Sequence, residues 1–154
     1  MTFNNYTQKS LEAVQSAQNI AVQHSNQQLE QIHLLLALLQ QDGGLTPQLL
    51  RKMGVNAESL EAAAKAEVRK LPTVTGSREA DRFYISAAVD AAFCAAEQQA
   101  QGMKDDFISV EHLLLGLIEA AQGSVKNLFE TYRVTKEGVL QALQGIRGSQ
   151  RGSG

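Results

Sequence analysis

Residues 32–39 read IHLLLALL, and residues 111–118 read EHLLLGLI. The two histidines, His33 and His112, are 112 − 33 = 79 residues apart, and the same offset aligns 6–65 with 85–144 without a gap. Apolar positions agree more often than identities do, as expected for two copies that keep a core and change their surfaces. A long period that occurs only twice predicts a duplicated helical unit, not a solenoid.

The composition favours helix and one soluble domain. The chain has 154 residues, 44% of them hydrophobic, with two prolines and a net charge of −2. Lys and Arg are scattered, so we expect no nucleic-acid partner. No stretch approaches the roughly 20 apolar residues of a membrane span, and the first residues lack a signal-peptide pattern, so we expect a cytoplasmic protein without membrane contact. The single cysteine, Cys94, is predicted to be a small buried side chain.

Helix signals recur in both copies and predict an all-α fold. Two four-helix units, related by a pseudo-twofold and joined through their apolar helices, would form one compact domain over 1–147. The first repeat is predicted over about 6–70, a connector over 71–82, the second repeat over about 83–147, and a flexible linker or tail over 148–154. The predicted N-caps are Thr7, Thr46 (followed by Pro47 at the first helical position), Asn56, Ser86, Ser109, Ser124 and Thr135.

The residue types that carry catalysis do not cluster. No phosphate-binding glycine loop occurs, and His24, His33 and His112 are dispersed without metal-ligand spacing. No nucleophile stands near a base, so we expect no enzyme activity, cofactor or metal site within these residues. His33 and His112 occupy equivalent positions at the start of the apolar helices, where an imidazole can bond nearby backbone groups, and we predict a structural role for both.

An acidic group precedes the second apolar helix. Asp105, Asp106 and Glu111 correspond to uncharged residues in the first copy, namely Asn26, Gln27 and Ile32. One interpretation is a solvated loop whose carboxylates lie near a helix N-terminus, which the helix dipole favours. The other is a polar rim beside an apolar groove. The charges are not needed to build the unit, and both interpretations stay open at this point.

The residues resemble a known family. The opening FNNYT at 3–7, the connector LPTVTG at 71–76, the stretch KDDFISVEHLL at 104–114 and the ending IRGSQR at 146–151 are similar to the Clp N-terminal domain, the double repeat at the front of the Hsp100/Clp AAA+ unfoldases. Within that family the chain most resembles the disaggregase branch. The similarity covers essentially the whole chain. Gln31 departs from it, because many relatives carry proline there.

The resemblance implies a function in binding. It implies a mobile appendage on a hexameric ATPase ring, with ATP and magnesium held by modules outside these residues and an Hsp70-type chaperone system as a further partner. The domain, expected to be a monomer by itself, would bind exposed apolar segments of unfolded or aggregated polypeptides. The family's client-handling positions fall on Thr7, Asp105 and Glu111, and an apolar groove near them would involve Leu11, Val14, Phe93 and Leu113.

Two other functions compete with client binding. A domain of similar fold could recruit a folded adaptor to a Clp protease, although the connector argues against this. A third possibility is a spacer that only gates the pore. Binding of unfolded polypeptide separates the first function from the third, and a requirement for a folded adaptor identifies the second.

Overall fold

The computed structural model describes residues 3–74 and 84–152, and it confirms the duplicated all-α fold. The first repeat contains α1 (Gln8–Gln23), α2 (Gln31–Gln40), α3 (Leu45–Lys52) and α4 (Ala57–Arg69). The second contains α5 (Ala87–Gly102), α6 (Val110–Ala120), α7 (Gly123–Tyr132) and α8 (Lys136–Gly152). Two short strands, β1 (Gln28–Leu29) and β2 (Tyr84–Ile85), complete the described structure. None of these helices is long and apolar enough to cross a membrane.

The two apolar helices, α2 and α6, form the centre of the core. Every α2 residue from Gln31 to Leu39 is buried, and so is every α6 residue from His112 to Leu117. A helix that is apolar on all sides must be covered on all sides. Accordingly α2 packs against α1, α3, α4, α5, α6 and α7. The prediction that these stretches are buried helices is confirmed.

The entry segment of each repeat pairs with the loop of the other repeat. Leu29 of β1 pairs in parallel with Ile85 of β2, and Tyr6 makes the equivalent parallel bridge to Ile108. Each of these residues is 79 positions from its counterpart in the other pair. The next backbone N–H donates in both places, from Ser86 to the Leu29 carbonyl and from Thr7 to the Ile108 carbonyl, each at 3.0 Å. We call these contacts the crossed pairs.

Gln31 adds a third link between the repeats. Its Nε2 donates to the carbonyls of Ala88 and Ala120, both at 2.9 Å. Its Oε1 accepts from the backbone N–H of Gln122 at 2.9 Å. The side chain is buried and its amide is bonded at both ends, which is the condition for burying a polar group at little cost. The departure from proline noted above therefore supplies contacts that a proline cannot make.

The predicted helix starts are partly confirmed. Thr7, Asn56 and Ser86 each accept a hydrogen bond from the backbone N–H three residues on, as N-caps do. Ser109 precedes α6, and Thr135 accepts from the N–H of Gly138.

Two predicted caps, Thr46 and Ser124, are wrong because their helices begin earlier. The N-cap of α3 is Gly44 and that of α7 is Gln122. Thr46 is fully buried within α3. Pro47 then falls at the third helical position, where its missing N–H still costs no intrahelical bond.

Other expectations also differ from the structure. Cys94 is exposed, because the buried stripe of α5 runs through Ala92, Phe93 and Ala96 and leaves position 94 on the opposite side. The predicted flexible tail is helical backbone as far as Gly152, as part of α8. Within the predicted connector, residues 75–82 lie outside the described residues.

Truncating a buried side chain of α2 tests its central position. Leu35 is 0% exposed, so Leu35→Ala should lower the free energy of unfolding by roughly 2–5 kcal/mol through loss of transfer free energy and the cavity left behind. Chemical denaturation followed by circular dichroism measures this. A loss below about 1 kcal/mol would contradict burial of α2 on all sides.

The contact between α5 and α6 tests the packing of the second repeat. A Cβ on Gly116 would lie 2.5 Å from both the Ala92 carbonyl oxygen and the Ala96 nitrogen, so the two helices would have to separate. We expect Gly116→Ala to destabilise the domain by roughly 1–3 kcal/mol, although alanine is the better helix former. The matched control is Ala37→Gly at the equivalent position of α2, which should cost only about 1 kcal/mol. Stabilisation by Gly116→Ala in the same denaturation assay would contradict the close approach.

Candidate functional site

Both repeats hold a buried histidine in the same way. The backbone N–H of Glu30 donates to Nδ1 of His33 at 2.9 Å, and that of Ser109 donates to Nδ1 of His112 at 2.8 Å. Because Nδ1 accepts, each ring is neutral and carries its proton on Nε2. Burial, with His24 nearby, lowers the pKa of His33 to about 4, which agrees with a neutral ring. These contacts support the structural role predicted for the two histidines.

The Nε2 protons point at equivalent residues of the preceding loops. His33 donates to Oδ1 of Asn26 and His112 donates to Oδ2 of Asp105, both at 2.8 Å. The backbone turns alike before each acceptor, since Ser25 and Lys104 have φ of 55° and 59°, in the left-handed region. These turns end α1 and α5, and they aim the next side chain at the histidine.

The second repeat adds two charged residues around Asp105. Nη2 of Arg147, on α8, lies 2.9 Å from Oδ2 of Asp105 and 2.7 Å from Oε2 of Glu111. Its Nη1 donates to Oδ1 of Asp105 at 3.4 Å. Partial burial alone would raise the pKa of the Asp105 carboxyl, but hydrogen bonds from Arg147 and His112 outweigh burial and hold that pKa below its usual range. We call Asp105, Glu111 and Arg147 the charged triad.

The first repeat has no equivalent charges. At the 79-residue offset, continued three residues past the aligned ranges, the counterparts of the triad are Asn26, Ile32 and Val68. Ile32 and Val68 are buried core side chains. Asn26 instead donates from Nδ2 to the Pro72 carbonyl at 3.2 Å. The same backbone therefore forms around an uncharged set, which means that the fold does not require the triad.

The structure brings part of the predicted client-binding set together. The backbone N–H of Thr7 donates to the Ile108 carbonyl, which places the start of α1 beside the loop that carries Asp105. Glu111 lies beside the same loop, because Arg147 contacts both Glu111 and Asp105. Leu11 lies one turn further along α1 and is half-buried.

The other three predicted residues, Val14, Phe93 and Leu113, are core side chains. They are buried, Phe93 completely, so none of them lines an open surface in this structure. Phe93 packs instead against Phe3 and Tyr6, with ring centroids 5.6 and 6.4 Å away.

Two residues of this region, Phe107 and Arg147, were missed from the sequence. Phe107, in the loop between α5 and α6, exposes 57% of its surface, which is unusual for a phenylalanine. Arg147 was assigned no role, although the repeat alignment sets it against Val68. The sequence did contain a signal for Arg147, namely a charged residue at a position where the other repeat has an apolar one. We call Thr7, Leu11, Phe107 and the charged triad the candidate site.

Two surface clefts among the described residues lie away from the candidate site. One, of about 850 Å³, is bounded by the end of α6, by α7 and by the start of α8, with Ile118, Phe129 and Val134 among its lining. Another, of about 620 Å³, occupies the matching place in the first repeat and is lined mainly by polar residues. Within 3–74 and 84–152, no group of three His, Cys, Asp or Glu side chains is placed to hold a metal ion.

Comparison with known proteins defines the family. Residues 5–132 match the family model described as the Clp repeat (R) N-terminal domain. The chain is 40% identical over 152 residues to the chaperone protein ClpB of Bacillus cereus and 35% identical over 152 residues to that of Clostridium tetani. Both alignments cover 98% of this chain, but the chain spans only 17% and 18% of the length of these relatives.

Solved structures agree on the fold. The Hsp104 N-terminal domain of Candida albicans has a TM-score of 0.81 and 21% identity, with 95% of this chain and 93% of that chain covered. The N-terminal domain of the chaperone ClpD of Arabidopsis thaliana has a TM-score of 0.70 and 20% identity, with coverage of 94% and 97%. The chain belongs to the Clp N-terminal domain family. The matched region is the N-terminal domain of these chaperones and not one of their ATPase modules.

A change of charge at Asp105 tests the electrostatics of the triad. Asp105→Asn keeps an acceptor for His112, as Asn26 does for His33, and removes only the carboxylate. Because the folded-state pKa of Asp105 is depressed, its contribution to stability is present above about pH 4 and is lost as the pH falls through the folded value. We expect Asp105→Asn to melt about 2–4 °C lower than wild type at pH 7, and the difference to shrink as the pH falls through the folded-state pKa of Asp105.

Calorimetry across this pH range measures the difference. Asn26→Asp in the first repeat is the converse control. It introduces a carboxylate at a site without an arginine and should destabilise at pH 7. A difference between Asp105→Asn and wild type that stays constant with pH would contradict the assignment.

Proposed function

We propose that this domain binds exposed apolar segments of unfolded or aggregated polypeptides and that it does so at the candidate site. The observation that carries the proposal is the asymmetry of the repeats. The second repeat holds three ionised side chains in a place where the first repeat forms the same fold with Asn26, Ile32 and Val68. Charges that the fold does not need are explained by a role in binding.

The surroundings of the triad suit an extended apolar segment with polar groups of its own. Phe107 offers an exposed aromatic surface and Leu11 a half-buried aliphatic one. The carboxylates of Asp105 and Glu111 keep lone pairs beyond those that Arg147 and His112 use, so they can accept N–H groups from a bound chain. Apolar surface with a few fixed polar groups is typical of a site that captures many different sequences.

The expected affinity is weak. Burying about 300 Å² of apolar surface contributes roughly 7 kcal/mol, and association costs at least about 4 kcal/mol. The remainder, at most about 3 kcal/mol, corresponds to a dissociation constant in the millimolar range. Weak contacts suit a domain that must release what it captures.

The whole protein extends the proposal. The ClpB relatives are about six times longer than this chain. In the full-length protein, the domain would be attached to a hexameric ATPase ring whose modules bind ATP and magnesium. That protein would cooperate with an Hsp70-type chaperone and would be cytoplasmic. The domain would deliver clients to that ring. Several copies on one ring would raise the effective affinity without any new contact.

A matched pair of cap variants tests the site. Thr7 and Ser86 occupy equivalent positions: each caps its helix, and each donates its backbone N–H to a carbonyl of a crossed pair. Only Thr7 lies beside the triad. Thr7→Ala and Ser86→Ala should each cost about 1 kcal/mol of stability. We expect only Thr7→Ala to weaken binding of a permanently unfolded, apolar-rich polypeptide, by about three- to tenfold. Amide NMR titration measures the affinity and locates the shifts.

Glu111→Gln is the second variant, with Glu58→Gln on the exposed Arg51–Glu58 pair as its control. We expect Glu111→Gln to weaken client binding by about three- to tenfold while the domain stays folded and melts within a few degrees of wild type, and Glu58→Gln to have no effect on binding. The proposal would be contradicted if each site variant weakened binding no more than its control variant. It would also be contradicted if the wild type did not bind the polypeptide at millimolar concentration. A folded adaptor would then be the next titrant.

A further inference from the structure

Arg147 is the residue of the candidate site that the fold explains least. On α4, the buried stripe consists of Leu60, Ala64 and Val68, and the equivalent stripe of α8 is Val139, Leu143 and Arg147. The default occupant of the last position is therefore an apolar side chain that seals the core. In the second repeat an arginine occupies it, with 22% of its side chain exposed.

We infer that Arg147 is the positioning residue of the proposed client site: it fixes the side chains of Asp105 and Glu111 in one arrangement. The inference deepens the proposed function and rests on it. Arg147 need not contact a client. It acts through the two carboxylates, and packing of α8 on the core through Val139 and Leu143 holds it in place.

The geometry gives this role to arginine in particular. A single nitrogen, Nη2, serves Asp105 and Glu111 together, at 2.9 and 2.7 Å. The second nitrogen, Nη1, reaches the other oxygen of Asp105 at 3.4 Å. Because the guanidinium is planar and its donors point in fixed directions, these contacts restrict the rotamers of both acids. A lysine ammonium has the same charge but lacks the planar set of N–H donors of the guanidinium.

Charge also requires a cation here. The side chains of Asp105 and Glu111 are only 24% and 12% exposed, so both carboxylates have lost much of their water. Two like charges in partial burial favour protonation of one of them or its movement out to solvent. Without Arg147 the pair would therefore lose its fixed geometry, while the helices could still pack around an apolar residue.

The test compares Arg147→Val, Arg147→Lys and the control Arg51→Val. Valine is the residue of the first repeat, so Arg147→Val should fold and should melt within a few degrees of wild type. We expect its affinity for the permanently unfolded polypeptide to fall about tenfold, Arg147→Lys to regain part of the loss, and Arg51→Val to bind as wild type does. Carboxyl ¹³C NMR should show a higher pKa for Asp105 in Arg147→Val, because the hydrogen bond and charge of Arg147 hold that pKa down in the wild type, and a purely structural role would not produce this rise.

The outcomes separate the inference from the proposed function. If Arg147→Val binds as wild type does while Glu111→Gln weakens binding, the positioning role is overturned and the client site stands. If Arg147→Val unfolds, Arg147→Lys is compared with the wild type instead. Equal affinity and an equal pKa of Asp105 in these two proteins would overturn the role. If the wild type binds no unfolded polypeptide, the proposed function fails and this inference fails with it.

Discussion

The complete burial of α2 and α6 is the constraint on which the rest of the structure depends. A helix with apolar side chains around its whole circumference cannot lie on a surface, and each of the other described helices packs against α2, α6 or both. The polar groups at the start of each of these helices must then find hydrogen-bond partners inside the protein. His33 and His112 accept the N–H of the N-cap residue and donate to the preceding loop, which ties the loop to the start of the helix. The loop that carries Asp105 and Phe107 is fixed for this reason.

Much of this architecture could be predicted from the sequence. The 79-residue offset and the apolar runs at 32–39 and 111–118 indicated two helical units with buried centres, and side-chain caps such as Asn56 and Ser86 located several helix starts. The crossed pairs could not be predicted, because each involves only one or two residues and leaves no periodic pattern. The start of α3 was misplaced since Thr46, a typical capping residue, is packed into the core there.

The candidate site was harder to predict than the fold. Asp105 and Glu111 are charged, whereas Asn26 and Ile32 at the equivalent positions are not. The sequence alone therefore showed that the two repeats differ here. Whether an apolar residue lines a groove or fills the core is decided by three-dimensional packing, and Phe93 and Leu113 proved to be core. Arg147 is 36 residues from Glu111 in the chain, and only the packing of α8 brings the two together. At the three positions of the triad, the second repeat carries charges and the first repeat does not.

The crossed pairs also bear on how such a domain arises. A single repeat would expose an entry segment like that of Thr7 and a loop edge like that of Leu29, each lacking the backbone partner that the other repeat now supplies. Two separate copies could satisfy each other through a twofold axis, as exchanged segments do in symmetric dimers. Joining the copies in one chain makes that association intramolecular and independent of protein concentration. It also frees the two halves to diverge, since a homodimer must carry every substitution twice and a fused pair need not.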